Sequence, residues 1–182
     1  MIATLEEAGA FLNGHFQLNS GRHSDRYLEK FNLLQWPPQT EIVCRKMADG
    51  LRHTDPEVVA GPTTGGVILS YEVARQLGLR GVIAEKQTDR PGRSLQRGFR
   101  LVPGERVLVV DDVLTTGGSV RETLDAVRAA GGEPVGVAVL VDRSDGGVDF
   151  GLPLFAATEV EMTSVIPADC PLCAAGVPLT VT

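Results

Sequence analysis

The stretch Arg106–Leu124, RVLVVDDVLTTGGSVRETL, decides the fold. Val107 to Val110 form an unbroken β-branched and apolar run, the pattern of a short strand buried on both faces. Asp111 and Asp112 end that run, the turn-forming Thr115-Thr116-Gly117-Gly118 follows, and apolar residues return at helical spacing from about Ser119 to Ala130. Gly131-Gly132 close the helix, and VGVAVLV (135–141) supplies the next apolar run. Strand, turn, helix, strand is the signature of a parallel pair with its crossover helix. A glycine-bearing turn entering a helix can aim its amide hydrogens inward as an anion nest. It is not the ATP-type phosphate loop, because the spacing differs and no lysine follows the glycines.

Outward from this unit lies a second one, EVVAGPTTGGVILSYEVARQLGLRGVIAEK (57–86). Val58–Ala60 reads as a short strand and Gly61–Gly66 as a loop. Val67, Ser70, Val73, Ala74 and Leu77 line a helix closed by Gly78, and Val82–Ala84 is the next strand. Together the two units predict an α/β fold, with a mostly parallel central sheet covered by helices on both faces. Thr88–Arg97, TDRPGRSLQR, is polar and rich in breakers and reads as a mobile loop. Thr4 with Glu7 three residues on reads as a capping box opening a helix to about Asn13. Gly14–Lys30 reads as irregular chain or an edge hairpin. Pro37-Pro38 start a helix carrying Ile42, Val43, Met47 and Leu51. Prolines 153, 167, 171 and 178 exclude long elements from the tail.

The 182 residues predict one domain with a sizeable core. Acidic side chains outnumber basic ones, 23 to 17, for a formal charge of −6, which argues against a broad nucleic-acid surface. Any phosphate site must therefore be made locally. No run approaches the roughly 20 apolar residues of a membrane span, and the N-terminus lacks the features of a secretory signal. Three cysteines, Cys44, Cys170 and Cys173, argue against a disulfide framework and point to a reducing cytoplasm.

Two carboxylates beside a phosphate cradle would repel a bare polyphosphate. They suit sugar hydroxyls, which donate to them, or the waters of a bound Mg²⁺. Helix capping alone explains one aspartate more easily than two. The run VLVVDDVLTTGGS resembles the phosphoribosyl-diphosphate-binding motif of the type I phosphoribosyltransferases. GHFQLNSGRHSDRYLEK, GPTTGGVILSYEVAR and VLVDRSDGG are similar, in order, to segments of the orotate phosphoribosyltransferase family.

That resemblance implies the type I fold, with residues 1–36 and the tail after 152 as hood or edge elements over the base site. It implies Mg²⁺-dependent transfer of a phosphoribosyl group to orotate, in pyrimidine biosynthesis. Asp111 and Asp112 would hold the ribose hydroxyls, and Val113, Leu114, Thr115, Thr116, Gly117, Gly118 and Ser119 would wrap the 5′-phosphate. Thr115 and Arg143 would meet orotate, and Lys86 would stabilise the departing diphosphate. No side chain is assigned as a direct metal ligand, and a homodimer is implied. Read alone, Arg143 could equally be a solvated strand-end residue paired with Asp142 or Asp145.

Within the resemblance, Glu85 stands where arginine is usual, the TTGG loop lacks the lysine of some members, and Asn19 stands where some have lysine. Arg90, Arg93 and Arg97 are the candidate replacements for the missing charge. Arg22, His23 and Arg26 suit the rim of an anionic pocket or simple surface charge. A purine or xanthine phosphoribosyltransferase and a non-catalytic regulator of the same fold are the alternative functions. Cys170-Pro-Leu-Cys173 falls short of a zinc site, with only Cys44 and three scattered histidines to add, and reads as ordinary packing.

Overall fold

The computed structural model describes residues 2–18 and 20–182; Asn19, whose identity the resemblance noted, lies outside them. The chain opens with helix α1 (Ile2–Glu7), then strands β1 (Phe11–Gln17) and β2 (His23–Leu28) and helix α2 (Lys30–Leu34). The capping-box expectation fails here. Thr4 sits inside α1, the helix stops at Glu7, and Phe11 already belongs to β1. The hairpin alternative for Gly14–Lys30 is the one realised, since β1 and β2 pair antiparallel from Phe11↔Leu28 to Gln17↔His23.

Helix α3 (Pro37–Leu51) begins on the proline pair and leads through a 3₁₀ turn, Arg52–Thr54, to strand β3 (Val58–Pro62). Then come helix α4 (Gly65–Leu77), strand β4 (Arg80–Lys86), the short strand β5 (Arg93–Leu95), strand β6 (Arg106–Leu114), helix α5 (Gly118–Ala129), and strands β7 (Glu133–Asp142) and β8 (Leu154–Glu159). The tail carries a 3₁₀ turn at Pro167–Asp169, a one-turn helix α6 (Pro171–Ala174) and a two-residue strand β9 (Thr180–Val181). Six strands form the main sheet in the order β5-β4-β3-β6-β7-β8, parallel except for β5, while β2-β1-β9 form a small second sheet. Among the described residues no helix is long and apolar enough to cross a membrane.

Continuous apolar strands arise because both faces are covered. Leu108, Val110, Ala138 and Leu140 pack with α3 and α4 in one core, whereas Val107, Val109, Val137 and Val139 pack with α5 in the other. Alternation of side chains along each strand makes this division automatic. On α3 the buried stripe is Val43, Cys44, Met47, Ala48 and Leu51; Ile42, expected on it, is half exposed. Gly78 closes α4 at φ +72°, where its amide reaches back to the last carbonyls.

Two further expectations are corrected. The strand read as Val107–Val110 runs on to Leu114, because β7 keeps pairing with it through Val113↔Val141 and Leu114↔Asp142. The twin aspartates are therefore inside the strand rather than beyond it. In the supposed mobile loop, Arg93–Leu95 form β5 against β4, and Arg93 is buried, so the exposed turn shrinks to residues 87–92.

Candidate active site

Consecutive strand residues face opposite ways, so Asp111 and Asp112 leave β6 on different sides. Asp111, 4% exposed, turns toward Ser119 in α5, while its Oδ1 accepts from the Asp112 amide at 2.8 Å. Asp112 turns toward the start of α4. Its Oδ1 accepts from the Val113 amide at 2.7 Å, and its Oδ2 lies 3.4 Å from Lys30 Nζ. A Cβ added at Gly65 would stand 2.0 Å from Asp112 Oδ2, so only glycine lets the loop after β3 close onto this carboxylate.

Burial, and next the charge of Asp112, push the Asp111 pKa up from 3.8 to about 6; the Asp112 amide, Ser119 and the Arg93 charge pull it back only in part. The folded chain thus binds more protons than the unfolded one between about pH 4 and 6. This contribution to stability is complete below pH 3.8 and lost as pH rises through 6. Ionised Asp111 therefore costs about 3 kcal/mol at neutral pH. Asp111→Asn keeps the acceptor oxygen and removes the charge. In urea unfolding it is expected to be more stable than the parent at pH 8, with the advantage disappearing toward pH 4. An equal difference at both pH values would show that Asp111 is not the strained group.

Beyond Leu114 the chain turns at Thr115–Gly117 and enters α5. Gly117, at φ +80°, is the N-cap, and a Cβ there would meet Val148 Cγ1 at 2.9 Å. Among the described residues the amides of Thr115, Thr116 and Gly117 donate to no backbone carbonyl, which leaves free donors at the start of α5. Leu114 is in the core, 1% exposed, so its backbone alone could face a ligand. The expected loop Gly61–Gly66 is shorter in the structure: Gly61 lies in β3 and Gly65 and Gly66 already in α4, so only Thr63 and Thr64 join them. A Cβ on Gly61 would meet the Gly66 carbonyl at 2.2 Å, and one on Gly66 would meet Pro62 Cδ at 2.5 Å.

Arg143 follows β7, its amide held 2.8 Å from the Leu114 carbonyl beside the same turn. Its side chain lines a cavity of about 800 Å³ with Asp142, Glu159, Glu161, Met162 and Thr163. Neither expected pairing exists. Asp142 Oδ1 accepts from the Ser144 amide at 2.7 Å, and among the described residues Arg143 has no ion-pair partner. Its Nε is buried without a hydrogen bond. Burial holds its pKa below the ordinary arginine value, with Tyr27 working the other way. Among the described residues the half-buried guanidinium therefore lacks an internal anion.

The loop cations separate cleanly. Lys86 ends β4, is exposed, and has no carboxylate partner among the described residues. Arg93 is structural rather than a spare charge: its Nη1 donates to Thr63 Oγ1 at 3.0 Å and to the Ala84 carbonyl at 3.1 Å, and its Nε lies 3.2 Å from Glu122 Oε2. It thereby ties β5 and α5 to the loop after β3. Arg97 is paired with Glu85 at 2.7 Å, so the acidic residue in arginine's usual place is neutralised from within the chain. Arg90 Nε donates to Gln87 Oε1 at 2.5 Å and has no carboxylate partner among the described residues.

Of the three basic residues read as a pocket rim or surface charge, Arg22 bonds the Ser164 hydroxyl at 2.9 Å, and His23 is 4% exposed and turned inward. Sequence reasoning missed Lys30 and Thr163 as neighbours of the site. Lys30 had no local signal, and Thr163 arrives because Val165 bridges to His23.

Residues 32–150 match the phosphoribosyl transferase domain family. The orotate phosphoribosyltransferase of Pelotomaculum thermopropionicum is 50% identical over 178 residues, covering 98% of this chain and 93% of the relative. That of Thermotoga maritima is 44% identical over 174 residues, covering 96% and 92%. Among solved structures, orotate phosphoribosyltransferase from Aeropyrum pernix superposes with a TM-score of 0.76 at 28% identity, covering 88% of this chain and 94% of its own. With strand-end acids, an open amide turn and an unpartnered arginine already gathered at one edge of a type I sheet, these matches agree with the geometry: the chain belongs to the orotate phosphoribosyltransferase family.

Proposed function

We propose that the protein transfers the phosphoribosyl group of 5-phosphoribosyl 1-diphosphate to orotate, giving orotidine 5′-phosphate and diphosphate. The observation that carries this reading is Arg143, a half-buried cation with an orphaned Nε opening on a cavity beside the phosphate turn. Orotate brings a carboxylate, which adenine, guanine, xanthine and uracil lack. The 5′-phosphate fits the free amides of Thr115–Gly117 with the Gly118 and Ser119 helix start. The ribose hydroxyls fit Asp111 and Asp112 near the end of β6, and Thr115, exposed in the turn that follows, is left for the base.

Bond formation joins orotate N1 to the anomeric carbon while the bond to diphosphate breaks, and the N1 proton is given up to the departing diphosphate or to water. Positive charge spreads over the ribose ring and negative charge grows on the leaving group. No nucleophilic side chain is required, so this chain's work is positioning and charge stabilisation. Asp111 and Asp112 hold the sugar and face its developing positive charge; Lys86 meets the departing diphosphate. The acids do not form a closed cation cage, because Asp112 also faces Lys30 at 3.4 Å and each acid accepts a backbone amide. That donor set fits a Mg²⁺ carried on the substrate and bound through its waters. When bound, Mg²⁺ supplies neutralisation of diphosphate charge.

The small β2-β1-β9 sheet is the natural hood over the base cavity, since Ser24 Oγ donates to the Thr163 carbonyl at 2.9 Å. A homodimer fits the exposed apolar face of α4, where Tyr71 is 71% exposed beside Ile68 and Phe99. The absence of a disulfide among the described residues suits a cytoplasmic protein, and the net charge of −6 suits one without a nucleic-acid partner. The deciding experiment incubates the protein with 5-phosphoribosyl 1-diphosphate, Mg²⁺ and each of orotate, adenine, guanine, xanthine and uracil. Orotate alone should be consumed. Consumption of a purine instead, or sugar-diphosphate binding with no turnover, would overturn the proposal.

A further inference from the structure

The pair Cys170 and Cys173 does not stand alone. Folding brings His15 of β1 and His23 of β2 against it, and one donor atom from each of the four residues lies within 4.8 Å of every other. His15 Nε2 is 3.1 Å from His23 Nδ1, 3.3 Å from Cys170 Sγ and 3.7 Å from Cys173 Sγ, and Cys173 Sγ is 3.3 Å from His23 Nδ1. Bonds of about 2.0 Å to nitrogen and about 2.3 Å to sulfur would give a tetrahedron with edges of roughly 3.3 Å between nitrogens, 3.6 Å between nitrogen and sulfur and 3.8 Å between sulfurs. The one nitrogen–nitrogen and three nitrogen–sulfur spacings given above lie within about 0.3 Å of those edges, and the remaining two pairs are within 4.8 Å. We propose that His15, His23, Cys170 and Cys173 form a structural Zn²⁺ site that fastens the C-terminal tail to the β1-β2 hairpin.

Three further observations point the same way. His15 Nδ1 donates to the Val177 carbonyl at 2.9 Å, which fixes the tautomer and leaves the Nε2 lone pair facing the cluster. His15, His23 and Cys170 are buried, at 3%, 4% and 5% exposure, so unliganded ring nitrogens and thiols there would be poorly satisfied. The tail has little else to hold it: β9 is two exposed residues, α6 is one turn, and Cys170 is the only buried residue after Ala157.

Two thiolates and two imidazoles are the borderline-soft set that favours Zn²⁺ over Mg²⁺ or Ca²⁺. Binding releases the two thiol protons, and the resulting centre is neutral: two thiolates balance the dication, and both imidazoles remain uncharged. Four protein ligands close the coordination sphere, so the role is structural rather than catalytic. Through His23 the same centre braces Val165, whose amide and carbonyl both pair with the His23 backbone, and with it the Thr163 wall of the base cavity.

The test uses full-length protein without a histidine tag. Elemental analysis after gel filtration should find about one zinc per chain. Replacing the metal with Co²⁺ should give the intense visible bands of a tetrahedral ion with a sulfur-to-cobalt charge-transfer band. The Cys170→Ser/Cys173→Ser double variant should lose both signals, and a strong chelator should lower the melting temperature of the parent but not of the variant. Because the cobalt spectrum is read on the parent chain, the proposal stays testable even if the variant fails to fold. Folded, metal-free parent protein, an octahedral cobalt spectrum, or a Cys170–Cys173 disulfide found by mass spectrometry would overturn it.

Discussion

Lys86→Ala lowers kcat by roughly 10²- to 10³-fold, the usual consequence of removing one group that stabilises transition-state charge. The melting temperature should not move, because Lys86 is exposed and bonded to no carboxylate. The rate is the informative readout, since the lysine is expected to act on charge that appears only as diphosphate departs. A fall confined to substrate KM would mean uniform binding instead, and unchanged turnover would remove Lys86 from the mechanism. The same variant tests the dimer. The family resemblance implies a loop that reaches into the neighbouring subunit of a homodimer; in that arrangement Lys86 serves the neighbour's site, whereas Arg143 serves its own. Mixing inactive Lys86→Ala and Arg143→Ala chains, then letting the dimers exchange, places one unaltered site in each hybrid and should restore about a quarter of parental activity. No recovery despite exchange would place both residues in the same subunit's site.

Arg143→Ala should cut kcat/KM for orotate by roughly 100-fold, matching the loss of a charge-assisted pair worth about 3 kcal/mol. Affinity for 5-phosphoribosyl 1-diphosphate should hold. In the free protein this arginine has no ion-pair partner and a buried Nε that bonds nothing, so its removal should leave stability unchanged or raise it. That combination separates a ligand-binding arginine from a structural one. Lower stability with unaltered orotate kinetics would contradict the assignment. Arg93 offers the contrast within the same chain: it bonds Thr63, Ala84 and Glu122, and its loss should destabilise the fold.

The parallel sheet was legible because its strands are continuous apolar runs, and the turns between them carry glycine where the chain must approach itself closely. Gly117 and Gly65 show this directly, the first at a positive φ and the second against a carboxylate. What escaped was set by contacts distant in sequence. The strand containing Asp111 and Asp112 ends at Leu114 because β7 continues to pair with it, and the local pattern of two acids then threonines reads as a turn. Thr88–Arg97 looked like open loop because three arginines in ten residues suggest solvent, yet Arg93 is buried by partners on other elements. The histidine-cysteine cluster was invisible for the same reason: 155 residues separate His15 from Cys170. Arg143, by contrast, needed only its place at a strand end to be noticed. Its lack of a partner is a property of the fold.

The account turns on where a pentose phosphate sits relative to β6. A crystal structure with orotate, Mg²⁺ and 5-phosphoribosyl 1-diphosphate, or an unreactive analogue of the latter, measures this directly. The expected result has Asp111 and Asp112 carboxylate oxygens accepting from the ribose hydroxyls at about 2.6–2.9 Å, with the 5′-phosphate on the amides that begin α5. A sugar bound elsewhere, with both carboxylates facing only protein, would contradict it.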